Sequence, residues 1–476
     1  MLFNSGQFAV FFVLVFFVTW ALAEKVSWRN IFLALASLVF YMCWNPAYVL
    51  LIVASSFVDY LAGSRIHAST ATARRRRWLV TSLLANLGIL FTFKYLGFAT
   101  NTLSMLASAL GFEVELPHLN LLLPVGISFY TFQSMSYTLD IYYGKLTPTR
   151  SFRDFLLYVS FFPQLVAGPI VRARDFLPQL TEKQTLKADE AGQALFRIIT
   201  GLFKKVVISD FIAINLVDRV FEFPEMYSSV EILIALYAYS LQIYCDFSGY
   251  SDIAIGAARL LGFTLPENFN LPYRAQSIQE YWRWWHMSLS TWLRDYLYVP
   301  LGGNRGHHRW STHKNLFLTM LLGGLWHGAA WTFVVWGALH GALLAATHWW
   351  GEVKKRRKMG LGRATGIKGF LLTMATFHFI TLAFVLFRAG SFPVALLVYE
   401  HLFDFTASIS NVQPWVLVAL VAGFGGHYLP RSLFARASRL YSQAPAPAQA
   451  LVLVAFMIVL DRIAGTDVVP FIYFQF

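Results

Sequence analysis

Apolar runs long enough to approach the thickness of a bilayer recur from one end of this chain to the other, and that repetition constrains the fold more than any other feature. They are Phe8–Ala23, Trp28–Trp44, Ala47–Ala62, Trp78–Ala99, Leu119–Tyr143, Val206–Phe223, Val230–Leu261, Asn315–His327, Trp331–Trp350, Gly369–Phe387, Trp415–Leu429 and Ala448–Leu460. Several fall short of the ~20 residues of a straight span and are expected to be tilted, paired in hairpins or re-entrant. The composition agrees: 57% of residues are hydrophobic and only 13% charged, where a soluble domain carries about 25% charged residues. The expected class is an all-α polytopic membrane protein of about 11–13 transmembrane helices, with re-entrant and short buried helices around a central tunnel.

The basic residues lie in short clusters between apolar runs: Arg74 to Arg77, Lys354 to Lys358, and Arg431, Arg436 and Arg439. This is the positive-inside pattern; it places those loops in the cytoplasm and both chain ends outside. The net charge of +13 therefore belongs to topology and anionic lipid, not to nucleic acid. Cys43 and Cys245 sit in apolar runs and are expected to be buried free thiols. Phe8 to Ala23 ends in "WALA" but lacks a positive leader, so it is read as an uncleaved first helix.

Some segments depart from simple spans. "YVSFFPQLVAGPI", Tyr158 to Ile170, holds two prolines and is expected to form a re-entrant hairpin. "GLFKKVVISD" suggests a helix entering from the cytoplasmic face with Lys204 and Lys205 snorkelling. Arg172 to Glu190 is the longest polar stretch and is expected to be a cytoplasmic loop. No repeat and no soluble domain stands out. A single integral-membrane domain over 1–476 is expected, with N-terminal helices over 1–150, core motifs over 151–350 and C-terminal helices over 351–476.

The chemistry-bearing residues crowd between Asp246 and His340. "IQEYWRWWHMSLSTWLRDYLYVPLGGNRG", Ile278 to Gly306, carries Glu280, Arg283, His286, Arg294, Asp295 and Arg305. Such charge beside lipid implies a polar interior or a cytoplasmic funnel. Arg294 and Asp295, adjacent on a helix, are expected to need separate partners. Asp246 and Asp252, if buried, need cationic or hydroxyl partners, for which Arg283 and Arg294 are the candidates. "GGLWHGAAW", Gly323 to Trp331, places His327 among glycines that permit close approach and beside Trp326 and Trp331, which can wall an apolar slot. A lone histidine on an apolar helix is ordinarily structural. A neutral imidazole near pKa ~6.5 can also take a hydroxyl proton. Attack of an alcohol on a thioester requires such a base, and a donor for the oxyanion from a second histidine, an indole or a backbone N–H. No nucleophile elbow, phosphate loop or metalloprotease helix is present, and no metal is expected. His307 and His308 are expected to face solvent.

Together "FSGYSDIAIG", "PENFN", "YWRWWHMSLSTWLRDYLYVPLGGNRG" and "NLFLTMLLGGLWHGAAWTFVVWGALHG" resemble the membrane-bound O-acyltransferase superfamily, and within it the alginate O-acetyltransferase branch of bacterial polysaccharide acetylases. "LLPVGISFYTFQSMSYTLDIY", "FPQLVAGPIVR", "GLFKKVVISD" and "PFIYFQF" extend the likeness over most of the chain. The resemblance implies His327 as principal histidine, His286 as the second, and Asn315 as the asparagine opening the helix before "GGLWHG". From the residues themselves, supporting roles are expected for Trp326, Arg294, Asp295 and Asp246. Donor contacts are expected from Lys204, Lys205, Arg172, Trp285 and Tyr298, with Arg174 beside them; the alternative for the four cations is that they mark membrane topology alone. One departure is visible: "WRWWH" places Trp284 where "WRRWH" is expected. The implied activity is transfer of acetyl from cytoplasmic acetyl-CoA, a substrate and not a bound cofactor, across the bacterial inner membrane. The acceptor is an exported polysaccharide such as alginate or cellulose, and separate periplasmic acetyl-transfer proteins are the implied partners. D-alanyl transfer to teichoic acid, or acylation of a lipid or protein, is the alternative on the same fold. A transporter or channel is the alternative of another class.

Overall fold

The computed structural model describes residues 1–112, 121–166, 168–305, 310–358, 360, 362–463 and 470–472. Helices dominate, and no strand occurs among the described residues. The chain divides into two compact units, Met1–Leu186 with Ala258–Leu265, and Lys187–Ala257 with Pro266–Phe476. Residues 119 and 120 of one apolar run, and His307 and His308, lie outside the described residues.

The first unit opens with α1 (Gly6–Ala21), α2 (Val26–Met42) and α3 (Val49–Ala68). Ser5 caps α1 by accepting the Phe8 N–H at 3.2 Å. α4 (Thr72–Leu90) continues through a π-turn at Phe91–Tyr95 into α5 (Leu96–Ala109). Then come α6 (Ile127–Tyr142), α7 (Phe152–Ser160), the single turn α8 (Phe162–Leu165) and α9 (Ala173–Thr181). α6 is buried along almost its whole length, although it carries Ser134, Ser136, Thr138 and Asp140. Ser134 joins a hydrogen-bonded core, in which Asp59 of α3 accepts two bonds from Asn86 of α4, at 2.8 and 3.0 Å, and others from Ser82 and Ser134, whereas the Asp140 carboxylate oxygens are buried without a hydrogen bond among the described residues. The proline-rich segment breaks at Phe161 between α7 and α8 and is completely buried there. The stretch expected as a polar loop contains α9, with Pro178 inside it. Cys43 is exposed, contrary to expectation, because it caps α2 at a helix end; Cys245 is buried.

The second unit runs α10 (Ala188–Leu202), two π-turn segments over Phe203–Val217, α11 (Asp218–Glu222) and the long α12 (Ser229–Leu260). α13 (Ile278–Trp284) and α14 (Met287–Leu293) are short and lead by a π-turn at Arg294–Tyr298 towards α15 (Ser311–His327). α16 (Trp331–Arg356), α17 (Gly366–Arg388) and α18 (Phe392–Leu402) follow, then α19 (Pro414–Tyr428), α20 (Arg431–Gln443) and α21 (Ala446–Ile463). α19 and α20 meet at 95°. The bend falls at Pro430, and the arginines expected in a loop lie along the amphipathic α20.

Among the described residues, Pro46–Ala68, Thr72–Ala109, Ser229–Leu260 and Gly366–Arg388 are long and apolar enough to cross a membrane. α1, α2 and α18 are apolar but shorter. Leu50, Phe17, Phe370, Val421 and Leu451 each expose more than 60% of their surface. Water would penalise such faces, whereas lipid tails do not.

α15 and α16 form a tight hairpin joined by Gly328–Ala330. Their crossing depends on glycine: a methyl on Gly324 would lie 2.8 Å from Gly337 Cα, and one on Gly337 would lie 2.5 Å from the Met320 carbonyl oxygen. Gly337→Val is therefore expected to force the hairpin apart and cost at least ~1–3 kcal/mol. Thermal unfolding of the detergent-solubilised protein checks this, and an unchanged midpoint would contradict the crossing.

Candidate active site

His327 is the last residue of α15. The chain leaves the helix at Gly328, and α16 turns back so that its first two turns flank the imidazole. The ring is 3% exposed. Three aromatic rings box it, with centroid separations of 5.0 Å to Trp326, 5.2 Å to Trp336 and 5.4 Å to Phe387. All three lie edge-on to it, so the imidazole sits in an apolar slot. Trp336 is 2% exposed, and its indole N–H makes no hydrogen bond among the described residues. Thr332, one turn earlier on α16, has a buried hydroxyl in the same condition.

His286 lies at the junction of α13 and α14, where its backbone adopts φ 43°, a left-handed conformation unusual outside glycine. This turn points the two short helices in different directions and seats the ring in the interior, with no measurable exposure. Asn268 secures it. The Asn268 Oδ1 accepts the Ser288 N–H at 3.2 Å and the Ser288 hydroxyl at 2.9 Å, so it is an acceptor. His286 Nδ1, 3.2 Å away, is therefore the protonated nitrogen of the neutral ring, and Nε2 carries the lone pair. Asn268 is held in turn through Nδ2 to the Ser251 hydroxyl at 3.2 Å, and its carbonyl accepts the Met287 N–H at 2.9 Å. Phe247 of α12 meets the His286 ring edge-on at 4.6 Å. Trp326 touches both imidazoles, lying 6.2 Å from His286. The two histidines named from the sequence are thus brought to one shared indole.

The buried carboxylates have other partners than expected. Asp246, 1% exposed, pairs with Lys205 at 2.7 Å and accepts the Ile472 N–H at 2.8 Å; neither Arg283 nor Arg294 pairs with it. Lys205 also reaches Asp210 at 2.6 Å, and its side chain is 1% exposed, so it does not snorkel. One residue away, Lys204 bonds Asp252 at 2.6 Å, and Asp252 also takes Arg197 at 2.9 Å. Arg197 extends bidentately to Glu267. Burial alone would lower the Arg197 guanidinium, but Asp252 and Glu267 outweigh it and hold the group above its ordinary value.

The remaining site residues divide plainly. Arg294 is 61% exposed and bonds its neighbour Asp295 at 2.8 Å, so the two pair with each other near the surface, where separate partners were expected for them. The π-turn over Arg294–Tyr298 permits this by bending the local backbone. Asn315 is buried and donates to the Gly303 carbonyl at 3.2 Å, tying α15 to the preceding turn. The Tyr298 hydroxyl donates to Asn304 in that same turn. Trp285 is buried and stacks on Tyr281 at 5.5 Å. Arg172 belongs to the other unit, where it precedes α9 with 6% exposure; Arg174 pairs with Asp175 at the surface. Gly324 and Gly328 serve helix packing, since a methyl on either would strike α16 atoms. Of the three glycines, Gly323 is the least confined: a methyl there would meet the Leu293 side chain at 3.3 Å, a close contact that the leucine would have to relieve.

Asn268, Phe247, Trp336 and Phe387 escaped sequence reasoning. The signal for Trp336 was present: a hairpin after His327 with glycines four apart at 337 and 341 turns one face of α16 back onto the imidazole. Asn268 lies in a loop, where no periodicity marks it.

Residues 146–388 match the profile of the family described as MBOAT, membrane-bound O-acyltransferase family. The chain is 41% identical over 426 residues to the probable alginate O-acetylase AlgI of Pseudomonas aeruginosa, covering 89% of this chain and 79% of that protein. It is 36% identical to the probable alginate O-acetylase AlgI of Pseudomonas putida over the full length of both. It is 37% identical to a peptidoglycan O-acetyltransferase of Helicobacter pylori over 84% of this chain and 79% of that protein.

Lys205→Met is expected to destabilise the protein by ~3–5 kcal/mol, because it strands two carboxylates in the interior. A melting curve in detergent measures this. A variant that melts like wild type and only binds donor more weakly would show that Lys205 serves the substrate instead.

Proposed function

The chain belongs to the membrane-bound O-acyltransferase family and is a membrane-embedded O-acyltransferase, and from that premise we propose that it carries acetyl from cytoplasmic acetyl-CoA to hydroxyls of an exported polysaccharide. The likeness to alginate O-acetylases over most of the chain supports a uronate polymer such as alginate as the final acceptor. A uronate offers secondary hydroxyls only, its C6 being a carboxylate, whereas cellulose and peptidoglycan sugars also offer a primary hydroxyl. Periplasmic acetyl-transfer proteins are the proposed partners, and the bacterial inner membrane the proposed location. In both, donor and acceptor occupy opposite sides of one bilayer.

One observation carries the mechanism: an imidazole at a helix end, walled by aromatic rings, beside a buried indole N–H that makes no hydrogen bond among the described residues. The acceptor hydroxyl attacks the thioester carbonyl while His327 takes its proton. The tetrahedral oxyanion accepts the Trp336 N–H. Collapse expels the coenzyme A thiolate, which recovers the proton from the His327 imidazolium, and an ester remains. The dry aromatic walls strengthen the donor's contribution and keep water from competing for the acyl group. His286 presents Nε2 as an acceptor, so in its neutral form it orients a hydroxyl and does not donate to the oxyanion.

Lys204, Lys205, Arg172, Trp285 and Tyr298 are the proposed donor contacts. Of these, Lys204 fits best: its side chain is 24% exposed, whereas Lys205 is committed to Asp210 and Asp246. Asn315, Arg294 and Asp295 are proposed to shape the loop before α15.

The test is transfer of labelled acetyl from acetyl-CoA by the purified protein, with and without candidate periplasmic partners. His327→Ala is expected to lower transfer ~10²- to 10⁴-fold with the protein still folded. Trp336→Phe keeps the ring, removes the N–H, and is expected to cost ~10²- to 10³-fold in turnover. His286→Ala is expected to cost less than His327→Ala. Wild-type transfer by His327→Ala would reject the base, and wild-type turnover by Trp336→Phe would reject the oxyanion donor.

A further inference from the structure

At the end of the α15–α16 hairpin away from His327, three potential ligands converge. His313 lies in the first turn of α15, and His348 and Glu352 lie one turn apart near the end of α16. One ligand atom from each falls within 4.8 Å of the others. The imidazoles of His313 and His348 meet edge-on at 5.2 Å, and His348 Nδ1 stands 3.9 Å from Glu352 Oε1. We propose that His313, His348 and Glu352 bind one divalent transition-metal ion, zinc by preference, which clamps the open ends of this hairpin.

An i,i+4 ion pair on an exposed helix face would explain His348 and Glu352 by themselves. It leaves His313 unexplained. That residue is 8% exposed, and both its ring nitrogens are buried without a hydrogen bond among the described residues. His348 Nδ1 is buried in the same state. A buried imidazole with neither nitrogen engaged is costly unless something engages it. The mouth of the cluster is open on the other side, since the Glu352 side chain is 42% exposed and that of His348 27%. An ion can therefore enter, keep a water as fourth ligand, and draw Glu352 inward.

The donor set selects the ion. Tetrahedral zinc with bonds of ~2.0–2.1 Å places its ligands roughly 3.4 Å apart, so ligand atoms now within 4.8 Å of one another, with His348 and Glu352 at 3.9 Å, would have to draw closer around the ion. Calcium and magnesium require several hard oxygens, and this cluster has one carboxylate beside the basic run Lys354–Lys358. Two imidazoles and a carboxylate suit zinc, or cobalt in its place. No metal is expected from the sequence, because 34 residues and a hairpin turn separate His313 from His348 and no ligand spacing marks them. The ion would sit ~21 Å along α15 from His327, fourteen residues at 1.5 Å each, so it sets the packing of the hairpin and takes no part in the chemistry. This inference is independent of the donor and acceptor proposed above.

The test uses full-length protein in detergent, carrying no polyhistidine tag and stripped with a chelator. Cobalt(II) is expected to give the visible absorption of a tetrahedral nitrogen–oxygen site, saturating at one equivalent and displaced by zinc. His348→Ala and Glu352→Gln, both at partly exposed positions, are expected to weaken uptake by at least about ten-fold. Zinc is expected to raise the thermal midpoint of the wild type and of neither variant, while the metal-free midpoints of all three agree. Absence of any cobalt spectrum, or equal uptake by wild type and both variants, would overturn the proposal. The second result would move the ion to other ligands.

Discussion

Lys205 is the residue on which the second unit depends. Its ammonium is shared by Asp210 and Asp246, and all three are removed from solvent. Taking such charges out of water costs several kcal/mol each, and mutual attraction offsets this only where the geometry is good. Here the extra acceptor capacity is used: Asp246 also takes the Ile472 N–H, and the Pro470 carbonyl faces Lys205 at 3.5 Å. One buried cluster thus ties the π-turn after α10, the middle of α12 and the described C-terminal residues together. Phe471, anchored in this way, packs on Phe247 at 5.5 Å and on Tyr250 at 4.6 Å. Phe247 supports His286 directly. The ion cluster is therefore two contacts from the second imidazole.

The first imidazole depends on a different constraint. α15 and α16 approach closely enough for Gly324 and Gly337 to touch, and this brings Trp336 against His327. Behind Trp336 lies His340, 4.5 Å away, which accepts the Trp282 N–H at 3.3 Å. Trp282 belongs to α13, immediately before His286. The two histidines are consequently positioned by elements that brace each other: α13 against α16 through Trp282 and His340, and α14 against α15 through the Trp326 indole. Rigid support of this kind is what a base and an oxyanion donor need to act at fixed distances.

Much of this was legible in the sequence, and the reasons are physical. Long apolar runs between basic clusters identified the class, because hydrocarbon tolerates little else. The helices α1, α2, α3, α12, α16 and α17 lie close to the expected runs. α6 was placed but its setting was not: its serines and Asp140 signalled a helix enclosed by protein. α18 was missed because eleven residues are too few to register as a span. His327 and His286 were found because ionisable residues in apolar surroundings are conspicuous. Their supports were not, since a contact such as Asn268 to His286 is made by tertiary folding and leaves no periodic trace. Charge partners failed for the same reason. Arg283, Arg294 and Lys205 lie 37, 48 and 41 positions from Asp246, so separation along the chain does not distinguish them, and only the fold, through the π-turn that carries Lys205, brings the lysine to it.

The central claim is that an acyl thioester reaches the aromatic slot around His327. Photo-crosslinking with a coenzyme A thioester carrying a diazirine in its acyl group, followed by peptide mapping, tests it directly. The account predicts label on the segments that wall the slot, Gly323 to Trp336 and the end of α17 at Phe387, suppressed by excess acetyl-CoA. Competable label confined to other segments, such as the cavity of about 600 Å³ lined by Arg274, Arg363 and Tyr428, would contradict it.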